Sequence, residues 1–569
     1  MKLTKLLTIT LTLSLLLSAC GTAETGEGKS SASLDAVEIR LHDSEITVDG
    51  AAAGTAAENA VYVGSDIVYY EDGKDFTYGE GTVQDAHSAE TAAAHTVVHI
   101  AQPGTYRIQG SLSRGQIAVD LGEDAKNDPN AVVTLILNGV DISCEVAPAI
   151  IFYRVYECNS VDTATKDVDT SSAGANVIIA DGSENTVNGA YVARIYKPGS
   201  VVLDESGTEV ADAEKLHKYD GAFYSRMSMN INGGAESNGI LTINAVNEGL
   251  GSELHLTVNG GIIRINSGND GINTNEDGKS VTTINGGELH ITVTGETGEG
   301  DGIDSNGWLV INGGAVTASA CGFSADAGID SDMGIYINGG TLMAAGQMLD
   351  RIAGGDATYA VFRIDGTLPG GTVLTLKNEA GETAMESAPV NDFSVLILSG
   401  EALVPGTYSF WMGDTQLLGV SGGVSGGPDF FGGMEGSVGT PGDVPGRFEG
   451  EPPEGDYEIP PQPQPGGSMT TQGIRPGAGS VQDGTETQTD PTGPFGPGGL
   501  AGMNPPDLPA EPIESRPPEG DYELPPQPGG QWQTQDAPEG FRPQSDEAVT
   551  EFVIHQGGNL FTVVIPATE

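Results

Sequence analysis

Three short segments recur in the middle of this 569-residue chain: Asp270-Gly271-Ile272-Asn273-Thr274-Asn275, Asp301-Gly302-Ile303-Asp304-Ser305-Asn306 and Ala327-Gly328-Ile329-Asp330-Ser331-Asp332. A weaker version, Glu248-Gly249-Leu250-Gly251-Ser252-Glu253, precedes them. Carboxylate and amide oxygens are hard donors, the ligand type that Ca2+ takes at about 2.3–2.6 Å. If the segments stack at a strand spacing of about 4.8 Å, Asp270 lies over Asp301, and Asn273 over Asp304 over Asp330. Like charges so close are unfavourable unless protonated or bridged by a cation. Twice a Ca2+–oxygen distance is roughly the gap between adjacent rows. Strand alternation turns the central Ile inward and leaves Asp304 and Asp330 outward. Asp270, Asn273, Asp301, Asp304, Asp330 and Asp332 are thus the candidate metal ligands. The other reading of the same residues is a set of solvated turn aspartates.

The stacking premise rests on a second repeat. Ile-Asn-Gly-Gly or Val-Asn-Gly-Gly occurs five times, with its Asn at 232, 259, 285, 312 and 338, and the copies lie 27, 26, 27 and 26 residues apart. Each copy follows a short apolar run, such as Trp308-Leu309-Val310-Ile311, and precedes another, such as Glu288-Leu289-His290-Ile291-Thr292-Val293. A fixed period in this range marks stacked units, each a coil of short strands. Gly takes φ > 0 at a tight corner, and Asn tolerates the left-handed region better than most residues. Stacked Asn side chains can also hydrogen-bond from coil to coil. The motif therefore reads as a corner and not as a ligand site. The expected fold is all-β, a parallel β-helix over 36–354.

Upstream, β-branched runs such as Thr96-Val97-Val98-His99-Ile100 and Val132-Val133-Thr134-Leu135-Ile136-Leu137 end at turn residues and read as strands. Residues 355–420 carry separate alternating runs between Gly/Pro turns, which predicts a small β-sandwich-like module. Residues 421–546 are rich in Gly, Pro and Gln and cannot bury enough apolar surface to fold alone, so a long disordered insert is expected. Residues 547–569 return to strand-like sequence and are expected to rejoin the module.

The N-terminus has a basic start (Lys2, Lys5), an apolar stretch from Leu6 to Leu17, then Leu17-Ser18-Ala19-Cys20-Gly21. Small residues before a cysteine match the lipobox of bacterial lipoproteins. The expectation is loss of residues 1–19, lipidation of Cys20 and a flexible tether over 20–35. The protein is then extracytoplasmic and anchored to the bacterial cell membrane by lipid alone. With 79 acidic against 24 basic residues the formal net charge is −55. Such a chain repels nucleic acid, which needs Lys and Arg to neutralise phosphate. Cys144 and Cys158 could pair, and Cys321 reads as a small buried residue.

The segments Val133-Thr134-Leu135-Ile136-Leu137-Asn138-Gly139-Val140-Asp141-Ile142, Ala180-Asp181-Gly182-Ser183-Glu184-Asn185-Thr186 and Gly300-Asp301-Gly302-Ile303-Asp304-Ser305-Asn306-Gly307 resemble a bacterial carbohydrate-binding family with a polysaccharide-lyase-like β-helix. The resemblance covers about residues 95–350. It implies a right-handed parallel β-helix, bound Ca2+ and binding of a plant cell-wall polysaccharide, cellulose or pectic polymer. The chain departs from the family at 154–175, a long insert, and at Ala327, where an acidic residue would be expected. Trp308, Tyr336 and Arg264 are the candidate carbohydrate-binding residues, the two aromatics to stack on sugar rings. The alternative reading is a Ca2+-dependent pectate-type lyase, whose base would be an Arg or Lys; Arg264 is the basic residue nearest Asp270 in sequence. A further alternative is a structural surface adhesin.

Overall fold

The computed structural model describes residues 36–158, 164–425 and 549–565. The expected leader at 1–19, the lipidation at Cys20, the tether at 20–35 and all but the first residues of the insert at 421–546 lie outside the described residues. Among the described residues the architecture is all-β, with helix limited to Ala89–Ala93 and a 3-10 turn at Glu123–Asn127.

The strands fall into three ladders of parallel neighbours. The first runs through Val133–Cys144, Ala175–Ile179, Met229–Gly233, Leu256–Val258, Val281–Ile284, Trp308–Ile311 and Gly334–Ile337. The second takes the end of Val133–Cys144, then Glu184–Gly189, Ile240–Ala245, Ile262–Ser267, Glu288–Val293, Ala315–Ser319 and Thr341–Gly346. The third runs from Thr96–Ile100 through Gly115–Asp120, Ile150–Arg154, Gly221–Ser225, Glu248–Ser252 and Ile272–Thr274 to Ile303–Ser305. Each rung of chain thus gives one strand to each ladder. Alternation along the strands sends every second side chain inward, so like stacks on like. Ile231, Val258, Ile284, Ile311 and Ile337 form one fully buried column, and Ile263, Leu289, Val316 and Leu342 form another. Cys321 is buried as well, and Cys144 is not joined to Cys158.

The Asn-Gly-Gly corners link the first ladder to the second, and their three residues divide the work differently from the sequence expectation. Among the described residues, φ is positive at only two non-glycine positions, Asp49 and Ser237. The corner asparagines are therefore not left-handed. The second glycine is at four of the five corners, Gly234 excepted: Gly261 has φ +91°, Gly287 +87°, Gly314 +81° and Gly340 +80°. The first glycine leaves room for the neighbouring rung, since a Cβ on Gly313 would sit 2.6 Å from the Asn285 carbonyl oxygen. The asparagine is kept for its side chain. Nδ2 of each donates to Oδ1 of the one before, Asn259 to Asn232 at 3.0 Å, Asn285 to Asn259 at 2.9 Å, Asn312 to Asn285 at 2.9 Å and Asn338 to Asn312 at 2.7 Å.

The ladders end against a second unit of structure. Phe393–Ser399 lies antiparallel on Thr341–Gly346 and on Tyr359–Leu368. Leu374–Asn378, Thr383–Ser387 and Gly406–Met412 form a further antiparallel sheet. Phe362 of one sheet stacks on Phe410 of the other at 4.2 Å between centroids, with Phe552 and Phe561 around them. The last strands join both sheets, Phe552–Ile554 beside Gly406–Met412 and Gly558–Val564 beside Tyr359–Leu368. Leu418–Ser425 pairs with Gly558–Val564 and so runs into the segment read as low-complexity insert.

The corner account makes a stability prediction. Gly278 (φ +66°) has open space where a Cβ would go, whereas at Gly287 a Cβ would meet the Gly261 carbonyl oxygen at 2.7 Å. Gly278→Ala is expected to cost about 1–2 kcal/mol for the left-handed backbone alone. Gly287→Ala should cost roughly 1–3 kcal/mol more from overpacking. Urea midpoints of the two variants check this, and equal midpoints would contradict it.

Candidate functional site

The acidic segments lie along the third ladder, the last of them, 327–332, one rung beyond its final strand. Its register pairs Leu250 with Ile272 and Ile272 with Ile303, each fully buried. Asn273 consequently stacks on Asp304, and Asp330 follows, its N–H donating to the Ile303 carbonyl at 2.7 Å. Three residues earlier on each rung, Glu248, Asp270 and Asp301 form a second row alongside. Asp332 is exposed, with its N–H on the Ser305 carbonyl at 3.1 Å.

The row that starts at Glu248 is tied from rung to rung. Asp270 Oδ1 accepts from the Asp301 N–H at 2.8 Å, and Asp301 Oδ1 accepts from the Ala327 N–H at 2.6 Å. Asp326 supplies the carboxylate that Ala327 lacks, accepting from the Gly300 N–H at 2.8 Å. These bonds explain why an aspartate serves the position, because each satisfies a backbone donor that burial would otherwise leave unpaired. They do not dispose of the charge.

Burial pushes every carboxyl in the rows upward, and the neighbouring carboxylates add to it. Asp301 is pushed up to about 9, by burial first and then by Asp270. Asp304 reaches about 8, by burial and then by Asp270 and Asp330. Asp330 reaches about 7, by burial and then Asp350. Asp270 reaches about 6, where burial is partly offset by the bond from Asp301. Burial and then Asp220 and Asp270 hold Glu248 well above the usual carboxylate range.

At one end the chain supplies its own cation. Lys218 Nζ lies 2.6 Å from Oδ2 of the buried Asp220, and Glu248 is the next acid along. Past Glu248 no lysine or arginine makes an ion pair with Asp270, Asp301, Asp304 or Asp330 among the described residues. Two buried oxygens there have no partner, Glu248 Oε2 and Asn273 Oδ1, although Asn273 Nδ2 bonds Glu248 Oε1 at 3.1 Å and Asp270 Oδ2 at 3.2 Å. With Glu248 ionised both are acceptors on adjacent rungs, so only a donor or a cation satisfies them. The set is all oxygen, which suits a hard divalent ion such as Ca2+ and not a thiolate- or imidazole-seeking metal. Among the described residues no three His, Cys, Asp or Glu side chains converge on a single point as a ready-made metal site. The carboxylates stand in rows, and Glu248, Asp270, Asp301 and Asp304 with the Asn273 amide oxygen are the groups that would hold such an ion.

Comparison with known proteins bears on this region. Residues 94–350 match the family model of carbohydrate-binding domain-containing proteins. The matched span holds every acid from Asp220 to Asp350. No curated protein matches the chain. Among solved structures, a polysaccharide lyase-like protein from C. thermocellum, in a gadolinium derivative, aligns at 19% identity over 56% of this chain and 93% of its own, with a TM-score of 0.30.

The other candidate residues lie on different ladders from the acids. Trp308 is half-buried on the first ladder between Val281 and Gly334. Tyr336 is half-buried on the same ladder, with Lys166 Nζ 5.1 Å from its ring centroid. Arg264 is exposed on the second ladder, between Thr242 and His290. Sequence reasoning passed over Lys218, Asp220, Asp326 and Asp350. Asp326 stood beside Ala327, one residue out of pattern. Asp350 follows the last Asn-Gly-Gly corner, where the repeat no longer marks the rung; its Oδ2 accepts from the Ser331 N–H at 3.1 Å.

The raised values imply a direction with pH. A carboxyl whose folded value exceeds its unfolded one contributes stability that is present below the unfolded pKa of about 3.9 and is lost as pH rises through the folded value. In chelator the melting temperature is expected to fall as pH rises from about 4, the loss from Asp270 being complete near 6 and that from Asp301 near 9. Asp301→Asn mimics the protonated form and keeps the acceptor for Ala327. It should flatten part of that fall and add at least about 1.4 kcal/mol at pH 9, the worth of one unit. Thermal melts of both proteins across pH check it, and parallel profiles would contradict it.

Proposed function

We propose that this protein is a cell-surface carbohydrate-binding lipoprotein that holds a plant cell-wall-type polysaccharide, cellulose or pectic polymer, without cleaving it. In this reading the three ladders close into a right-handed parallel β-helix, Ca2+ bridges the acidic rows, and lipid on Cys20 anchors the chain to the membrane. The family match over residues 94–350 carries the carbohydrate assignment. The unpartnered Glu248 Oε2 and Asn273 Oδ1 support the metal. The small residues before Cys20 support the anchor.

When bound, Ca2+ would neutralise Glu248, Asp270, Asp301 and Asp304 and stiffen the stack. The chain's own part is to present oxygen at each rung. Elimination chemistry would need a base beside these rows. Arg264 is on another ladder. Lys218 is beside them, but although burial works against its charge, Asp220 and Glu248 outweigh that and hold the ammonium above its usual range. A lysine kept protonated in this way is a counter-ion and a poor base.

The test has two parts. Ca2+ at 100 times its Kd should stabilise the fold by about 2.7 kcal/mol, seen as a rise in melting temperature that EDTA reverses and Asp301→Ala reduces. An unmoved melting temperature would sink the metal. Pull-down on insoluble cellulose and pectin should retain the protein, while absorbance at unsaturated ends should stay flat on polygalacturonate with Ca2+. Steady growth of that absorbance would overturn the binding-only reading.

A further inference from the structure

The first ladder has an outward row that is neither acidic nor apolar over most of its length. Asn176, Asn230, Thr257 and Thr283 stack in register, followed by Val310 and Tyr336. The corner ladder of Asn232, Asn259, Asn285 and Asn312 runs beside it. A loop just before Ala175–Ile179 lies over this surface and runs along the stack. At one end the Thr170 hydroxyl bonds Asn230 Oδ1 and Thr257 Oγ1, both at 2.7 Å, and the Asn230 amide donates to the Thr170 carbonyl at 2.8 Å. At the other end Lys166 reaches the Tyr336 ring. Between the loop and the corner ladder is a cleft of about 460 Å3, walled by residues 168–171 and floored by Thr283 and the corner asparagines. That size falls within the range of roughly 300–1,000 Å3 typical of ligand sites.

The floor has a regular chemistry. A primary amide offers two N–H donors and a carbonyl with two lone pairs. Asn259, Asn285 and Asn312 each give one donor and one lone pair to the corner ladder, and Asn232 gives a lone pair to it and a donor to the Val177 carbonyl at 3.3 Å. Every exposed rung therefore retains one N–H and one lone pair, repeated at about 4.8 Å. Thr283 adds a hydroxyl, which both donates and accepts. A line of paired donors and acceptors suits a chain of linked rings with vicinal hydroxyls better than a single sugar. The loop's Asp169 is turned back on the Ser171 N–H at 2.9 Å, and Lys166 is paired with Asp167 at 2.6 Å. Among the described residues no unpaired cation lines the cleft for a carboxylate, and the protein's net charge of −55 disfavours a polyanion.

We infer that this cleft is the polysaccharide seat, and that it takes an uncharged glycan laid across the rungs along the corner asparagines. The inference rests on the carbohydrate-binding reading above and locates it on the first ladder, away from the acidic rows. Thr170, already bonded to Asn230 and Thr257, occupies the place that a glycan hydroxyl takes one rung further on, at Thr283.

Calorimetric titration of the full chain with cellohexaose, and separately with polygalacturonate, tests it. Thr283→Arg fills the cleft and should weaken cellohexaose binding at least tenfold. Thr317→Arg, on the outward face of the second ladder opposite His290 and Met343, should leave it within twofold. Thr283→Val keeps the β-branched shape and removes only the hydroxyl; a several-fold loss is expected even if the arginine variant melts early. Wild-type binding that neither Thr283 variant weakens would overturn the seat and leave the carbohydrate-binding reading intact. Binding to polygalacturonate alone, strengthened by Thr283→Arg, would overturn the uncharged ligand. No binding to either polymer would overturn that reading and this inference with it.

Discussion

Parallel in-register stacking imposes one rule on every residue of the ladders: its nearest neighbour is the residue at the same position one rung away. Whatever a side chain does, it must do in company with something like itself. Apolar groups gain from this, and the buried isoleucine columns result. Amides gain as well, because one primary amide is a complementary partner for the next, as in the run from Asn232 to Asn338. Carboxylates lose, since burial and mutual repulsion act together. The apolar columns, the amide run and the acidic rows are three outcomes of the same constraint.

The constraint explains how much could be read in advance. A period of 26–27 residues is enough to place Asn273 on Asp304 and to bury Ile272 and Ile303, because register follows from repeat length. The inward and outward sides follow from alternation. Sequence did less well inside the corner itself. It credited the asparagine with a left-handed backbone that the second glycine supplies. The reason is that Asn is common in both roles, and only the φ angles and the side-chain bonds separate them.

What escaped the sequence lies where the repeat breaks. Asp326 replaces the missing acid at Ala327 from one position upstream, which a strict alignment of copies skips. Asp350 belongs to a rung with no Asn-Gly-Gly marker. Lys218 comes from the edge of the antiparallel hairpin Val192–Tyr196 and Lys215–Tyr219, outside any repeat. The loop at 164–171 meets the first ladder through contacts as distant as Thr170 to Thr257, separated by 87 residues. Long-range contacts of this kind leave no periodic trace.

The strand Phe393–Ser399 has a wider bearing. A parallel ladder that simply stopped at Thr341–Gly346 would expose a row of backbone donors and acceptors in the register of the next rung. Another copy could dock there and extend the stack head to tail. By laying an antiparallel strand on that edge, and backing it with the aromatic cluster around Phe362, the chain switches the hydrogen-bond pattern and closes the template. Crowded copies would then remain separate units instead of fusing into fibres.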